Sequence, residues 1–190
     1  MLDSILLRIA KCSILSKFKK NYSFDKERLV DEYPFLEKDG AAFVTLKSNG
    51  ELRGCIGSIV PHRTLFEDVI HNALSAGFSD PRFNPLHVDE LDSLNIEVSV
   101  LSKPTKLEYE NFKDLCKKVI PNIDGLILEH EQYRGTFLPQ VWEQLQTPEL
   151  FLEHLSQKAG ADISIYKKHP TIYRYKVEAI EEEFNEILPL

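Results

Sequence analysis

Three observations predict an α+β fold with mainly antiparallel sheets flanked by helices. Segments with apolar residues at helical spacing alternate with short runs of two-residue period. Asn49-Gly50 lies between two apolar runs, a pair that tolerates positive φ at both positions and so marks a β-hairpin. The helices and strands do not follow the strict strand–helix–strand order that a parallel sheet needs.

Along the chain, Leu2, Ile5, Leu6, Ile9 and Cys12 recur at helical spacing, predicting a helix over residues 2–20. A second helix is predicted from Asp25 to Tyr33, stopped by Pro34. Ala41 to Leu46 reads as a strand, Ser48-Asn49-Gly50 as a turn and Glu51 to Ile59 as the partner strand. Gly54 and Gly57 inside that partner predict a bulge or a close approach. Thr64 followed by Glu67 forms a capping box. The helix it opens buries Leu65, Val69, Ala73 and Ala76 and ends between Gly77 and Asp80. Asp80-Pro81-Arg82-Phe83-Asn84-Pro85 is a loop. Ile96, Val98 and Val100 alternate with polar residues as in a half-buried strand. A short helix is predicted from Asn111 to Ile120 and a strand from Leu126 to Leu128. A loop then carries Glu129, His130 and Glu131, and Tyr133 to Phe137 forms another strand. Pro139 suits the first turn of a helix. Thr147-Pro148-Glu149 opens one more, stopped at Gly160, and Ile172 to Ala179 closes the chain as a strand.

With 190 residues there is room for one large domain or two small subdomains, and no repeat or low-complexity linker separates them. The whole chain, 1–190, is read as a single domain whose internal boundary is not set by the sequence. No apolar stretch approaches the roughly 18 residues of a membrane helix. The first residues are a poor signal peptide, so a cytoplasmic location is expected. Cys12, Cys55 and Cys116 are odd in number and far apart, which argues against a disulfide framework and a zinc ribbon. The six histidines form no close metal-binding pair, and no structural metal is expected. The net charge of -7 disfavours a general nucleic-acid binder. The one basic cluster, Lys17, Lys19 and Lys20 with Arg8 and Lys11 upstream, reads as a solvated helix end.

Chemistry concentrates at Leu52-Arg53-Gly54-Cys55-Ile56-Gly57. A cation near a thiol favours the reactive thiolate. Arg53 and Cys55 share a face if the strand is regular, and a bulge breaks that alternation. Cys55 is either a functional thiol or a buried small hydrophobe. Arg53 is either a partner for a carboxylate such as Glu97 or Asp80, or a grip for an anion. Gly54 and Gly57 allow backbone N–H groups to approach that anion. His62 and His130 are the candidate bases. Asp80 and Arg82 either fasten a turn or line a substrate site, with Arg82 on an anionic ligand. Trp142 and Phe137 read as core or interface anchors.

These motifs are similar to those of the AMMECR domain family, called AmmeMemoRadiSam system protein A in bacteria and archaea. The resemblance rests on Gly40 to Leu46, Leu52 to Gly57, Asp80 to Phe83, Ile96 to Ser102, Asp124 to Leu126, Gly135 to Glu143, Phe151-Leu152 and Lys158 to Gly160. It implies a compact α+β fold of two unequal subdomains, with a cleft between them near the cysteine motif. It also implies a Memo-like protein and a radical SAM protein as partners, and it names no settled activity and no cofactor. The leading expectation is a thiol-dependent enzyme, or an enzyme accessory, acting on a small molecule or a partner protein. Its catalytic residues are Cys55, Arg53 and His62, and its substrate-binding residues are Gly54, Gly57, Asp80 and Arg82. The alternatives are a non-catalytic adaptor with a structural Cys55 and, more weakly, an RNA-binding regulator.

Overall fold

In the computed structural model, residues 2–19 and 24–190 are described, which leaves Lys20 of the basic cluster outside the described residues. The chain divides into two units, Met1–Leu101 with Glu178–Leu190, and Ser102–Val177. Each contains a four-stranded sheet with its own hydrophobic core. The α+β class with antiparallel pairing agrees with the sequence reading.

In the first unit, α1 (Ile5–Leu15) buries nine of its eleven residues and so lies inside the core rather than on it. It ends five residues earlier than expected. Arg8 and Lys11 are not a solvated end: Arg8 Nη2 donates to the Pro189 carbonyl at 2.6 Å and Lys11 Nζ to that of Ile187 at 2.7 Å. Both cations therefore hold the C-terminal segment. α2 (Lys26–Glu32) starts where Asp25 accepts the Arg28 N–H, and Pro34 opens a short 3-10 turn after it. β1 (Ala41–Ser48) and β2 (Glu51–Gly57) form the hairpin, with Asn49 at φ 51° and Gly50 at φ 82°. α3 (Leu65–Phe78) opens with the Thr64 hydroxyl accepting the Glu67 N–H. After it come β3 (Leu94–Leu101) and, from the end of the chain, β8 (Val177–Glu183), giving the sheet order β2-β1-β3-β8. Ala42, Val44 and Leu46 of β1 and Ile96 and Val98 of β3 are fully buried in the core that also contains the apolar faces of α1 and α3. The alternate residues Phe43, Thr45, Lys47, Glu97 and Ser99 therefore share the opposite face.

The second unit begins with β4 (Thr105–Lys106) and α4 (Phe112–Lys118), capped by Asn111. β5 (Gly125–His130) and β6 (Tyr133–Phe137) follow. The expected loop at 129–131 is a tight hairpin: Glu129 and His130 pair with Arg134 and Tyr133, and Glu131 takes φ 52°. The helix expected at Pro139 is a 3-10 turn, Pro139–Glu143. α5 (Pro148–Lys158) has Thr147 as its cap and Gly160 at φ 85° beyond its end. The expected closing strand is two strands. β7 (Thr171–Tyr175) joins the second sheet, in order β4-β7-β5-β6, and β8 joins the first, with Lys176 between them.

Trp142 anchors the second core. Its ring stacks on Phe151 at 3.8 Å, and its Nε1 donates to the buried Asp124 carbonyl at 2.8 Å. Trp142→Phe keeps an aromatic ring but leaves that carbonyl unpaired. It is expected to cost about 1–3 kcal/mol, read as a lower urea midpoint by far-UV circular dichroism.

Candidate functional site

The cysteine motif lies on β2, an edge strand of the first sheet. The ladder with β1 shifts register here: Leu46 pairs with Gly54, but Lys47 pairs with Leu52. Arg53 is the extra residue, so the bulge falls on the arginine itself. Beyond the bulge Cys55 sits opposite Thr45, and Thr45 is opposite Glu97 of β3. The Thr45 hydroxyl donates to Cys55 Sγ at 3.2 Å.

The backbone of Cys55 faces away from β1. Its N–H donates to Asp80 Oδ2 at 2.9 Å, and its carbonyl accepts from Arg82 Nη2 at 3.1 Å. Cys55 and Thr45 are thus a non-hydrogen-bonded pair, the kind in which cross-strand side chains come closest. The loop from Asp80 supplies the partners that a further strand would give this edge. Asp80 is buried, with 1% of its side chain exposed. Arg82 Nε reaches Asp80 Oδ1 at 3.0 Å and Nη2 reaches Oδ2 at 2.7 Å. The guanidinium outweighs desolvation and, with the N–H groups of Cys55 and Arg82, holds the Asp80 carboxyl far below the usual carboxylate range. Arg82 is raised in turn, chiefly by Asp80. Half of the Arg82 side chain, 52%, remains exposed.

Arg53 forms a second tie between β2 and the same loop. Its Nε donates to Glu90 Oε2 at 2.6 Å, and its Nη2 donates to Glu90 Oε1 and to the Asn84 carbonyl, each at 3.0 Å. Glu90 is lowered, first by Arg53. It also accepts the His87 N–H at 2.8 Å. The Phe83 ring lies 5.7 Å from the Arg53 guanidinium and 5.5 Å from that of Arg82. The carboxylate on Arg53 is therefore Glu90, not Glu97 or Asp80. Glu97 instead accepts from Lys47 and Ser99.

The two glycines face packed atoms. A Cβ on Gly54 would lie 2.2 Å from the Ala76 carbonyl oxygen of α3, and one on Gly57 would lie 2.2 Å from the Phe43 ring. His62 is exposed; its Nδ1–H donates to the Val60 carbonyl at 3.1 Å and its Nε2 accepts from Arg63. The geometry thus groups Cys55 with Thr45, Asp80 and Arg82. Arg53 instead bonds Glu90 and the Asn84 carbonyl, and His62 bonds the Val60 carbonyl and Arg63. His130 lies in the second unit, in β5.

Sequence reading missed Thr45, Glu90 and a buried polar knot on α3. Asp68, with no exposure, accepts from the Ala42 N–H, the Ser58 hydroxyl and Asn72 Nδ2, and Asn72 also donates to the Ala42 carbonyl. The signal available was Asp68 and Asn72 at i, i+4 on the apolar face of a helix. Among the described residues no group of three or more His, Cys, Asp or Glu is arranged to hold a metal, and no helix is long and apolar enough to cross a membrane.

An α+β chain with a cysteine on a clamped edge strand defines a class, and comparison with known proteins places it. The AMMECR1 family model matches residues 7–180. The chain belongs to the AMMECR1 family. It is 36% identical to a Methanothermobacter thermautotrophicus protein over 94% of this chain and 93% of that one. It is 38% identical to protein MJ0810 of Methanocaldococcus jannaschii over 86% and 84%. Among solved structures it is similar to uncharacterized protein PH0010 from Pyrococcus horikoshii, with TM-score 0.80 and 32% identity, covering 98% of this chain and 96% of that one.

Proposed function

We propose that this chain is a thiol-dependent enzyme or enzyme accessory in which Cys55 is the nucleophile and Arg82 grips an anionic group of the substrate. The observation that carries this reading is the arrangement around one sulfur. Cys55 is half-buried, takes a hydrogen bond from Thr45, and has both backbone groups fixed by Asp80 and Arg82. A fixed nucleophile beside a half-exposed guanidinium suits a carbonyl compound bearing a carboxylate or phosphate. The thiol adds across the carbonyl: the S–C bond forms, the π pair moves to oxygen, and oxygen takes the thiol proton. Memo-like and radical SAM proteins as working partners follow from the family resemblance, and co-purification with this chain is the test of that part.

Native alkylation by iodoacetamide at pH ~8, resolved by site, tests the thiol. Cys55 is expected to label first. Cys116 is pushed up to about 11, chiefly by burial and also by Glu149, and burial raises Cys12, which is only 5% exposed. Both are expected to lag. Thr45→Val removes the hydroxyl donor and is expected to slow Cys55 about tenfold, ~1.4 kcal/mol for one hydrogen bond. Labelling of Cys55 no faster than that of Cys12 would overturn the reading.

A second reading, a non-catalytic adaptor, is favoured by the way the motif packs. Gly54 seats α3, Gly57 meets Phe43 and Arg53 fastens Glu90, all of which serve the fold. On that reading Cys55→Ala leaves partner capture unchanged, whereas the thiol reading requires its loss of function.

A further inference from the structure

We propose that the outer edge of β2 captures the C-terminal tail of a partner polypeptide, with the tail's penultimate residue paired to Gly57 and its terminal carboxylate on Arg82. The proposal deepens the reading of Arg82 as an anion grip and rests on it. The anionic group becomes the terminal carboxylate of a peptide, and the tail is recognised by backbone pairing at a sheet edge.

The alternation of hydrogen bonds along β2 fixes which backbone groups face outward. β2 is an edge strand, paired to β1 on one side. The Cys55 N–H and carbonyl point away from β1, to Asp80 and Arg82. In an antiparallel ladder both backbone groups of a residue face one side, and the side alternates from residue to residue. The backbone of Ile56 therefore faces β1, and that of Gly57, opposite Phe43, faces outward. Ser58 continues the alternation, its N–H donating to the Ala42 carbonyl at 3.0 Å. Among the described residues the Gly57 N–H has no acceptor and its carbonyl no donor. Gly57 is partly exposed. It is an open station of the edge, next to one that the loop from Asp80 has filled.

An open N–H beside an open carbonyl selects the occupant. A bare anion at Gly57 would meet the carbonyl as well as the N–H and be repelled by it. One residue of an extended peptide satisfies both groups, in the two-bond pair of an antiparallel ladder. Direction then selects which end of the peptide. A strand antiparallel to β2 runs from Gly57 toward Cys55, where Asp80 already holds the N–H and Arg82 the carbonyl. The incoming chain must stop there, which excludes an internal segment. At about 3.4 Å per residue, the residue after the paired one lies level with Ile56, and its carboxylate reaches the Arg82 side of Cys55. Asp80 occupies Arg82 Nε and Nη2, while Nη1 has no partner among the described residues and half of the side chain is exposed. A carboxylate accepts from Nη1 in a charge-assisted bond. Because Asp80 offsets the arginine charge, that bond supplies orientation more than affinity. A chain entering in the parallel sense would set its terminal ammonium against the same guanidinium.

The test is a titration of the full chain with N-acetyl-trialanine, followed by spectra of 15N-glycine-labelled protein. Gly57 is the one glycine of eight preceded by isoleucine, so 13C-carbonyl isoleucine labelling picks out its signal. A saturable downfield shift of the Gly57 amide proton is expected, with Gly50 at the hairpin turn unmoved. The C-terminally amidated peptide is expected to bind at least fivefold more weakly. The peptide methylated at its penultimate nitrogen, which loses the donor to the Gly57 carbonyl, is expected to weaken by as much. No saturable shift of Gly57, or equal binding by either altered peptide, would overturn the proposal. Alkylation of Cys55 is read separately. Loss of peptide binding in a chain whose Cys55 still labels first overturns tail capture alone, and an unreactive Cys55 in a chain that binds the peptide overturns the nucleophile alone.

Discussion

Replacing Gly54 with alanine is expected to lower the stability of the first unit by about 3 kcal/mol, the upper range for forcing one extra methyl into a packed interior. The added Cβ would lie 2.2 Å from the Ala76 carbonyl oxygen and 3.1 Å from its carbon. Both are backbone atoms of α3, so no rotamer change relieves the contact; the helix must lift off β2 or the strand must bend. At roughly 2–4 °C per kcal/mol for a chain of this length, the melting temperature should fall by about 6–12 °C. Gly50→Ala is the control. Gly50 sits at φ 82° with no atom within 4 Å of a built Cβ, so its cost is backbone strain alone, about 1–2 kcal/mol. The probe matters. The single tryptophan, Trp142, belongs to the second unit, and its fluorescence reports on that core. Far-UV circular dichroism and amide exchange in β1 and β2 report on the first. Melts of Gly54→Ala that superimpose on those of the unaltered chain would mean that α3 does not bear on β2 at this point.

The two motif glycines illustrate how much the sequence discloses. Glycine inside a strand signals a close approach, and that much was legible. It does not say what approaches, and here it is a helix carbonyl and a phenylalanine ring rather than a ligand. The Asn49-Gly50 hairpin was equally plain, because both residues need positive φ. A regular ladder from that turn pairs residues whose numbers add to 99, placing Thr45 opposite Gly54. The bulge at Arg53 moves Cys55 into that place and creates the thiol–hydroxyl contact. One extra residue in the ladder thus decides what the sulfur touches, and strand periodicity cannot locate it. The clamp residues Asp80 and Arg82 were legible as turn-formers with a possible second task, since Asp and Pro have local roles. Their hold on Cys55, 25 and 27 residues away, is a tertiary fact. Glu90 had no signal, because only the folded loop brings it to Arg53. The closing strand was predicted as continuous because the apolar alternation persists through residues 172–179, whereas a change of sheet at Lys176 leaves no mark on the pattern.

Asp80→Ala is expected to cost about 2 kcal/mol at neutral pH and to free the edge of β2. Removing the carboxylate leaves the Cys55 N–H without its acceptor, and an unpaired backbone donor costs roughly 1–3 kcal/mol. It also strips three donors of Arg82 of their partner. The guanidinium part of that loss, two of the three donors, is discounted because a side chain already half exposed recovers hydration. Asp80→Asn keeps an acceptor for the N–H but loses the charge, so it should cost less. Acidification separates the two contributions. Asp80 has a folded-state pKa depressed far below the unfolded value of about 3.9. Its contribution is therefore complete above pH ~4 and fades as the pH falls toward the folded value. The stability gap between the unaltered chain and Asp80→Asn should hold from pH 7 to about pH 5 and narrow steadily below pH 4. Glu90, also depressed by its arginine, remains in both chains, so both should still lose stability in acid. Urea midpoints read by amide exchange in β2 across this range provide the measurement. A gap of constant size down to pH 2 would mean that carboxylate charge does not hold the edge, and that the loop is seated by Phe83 against the two guanidinium groups instead.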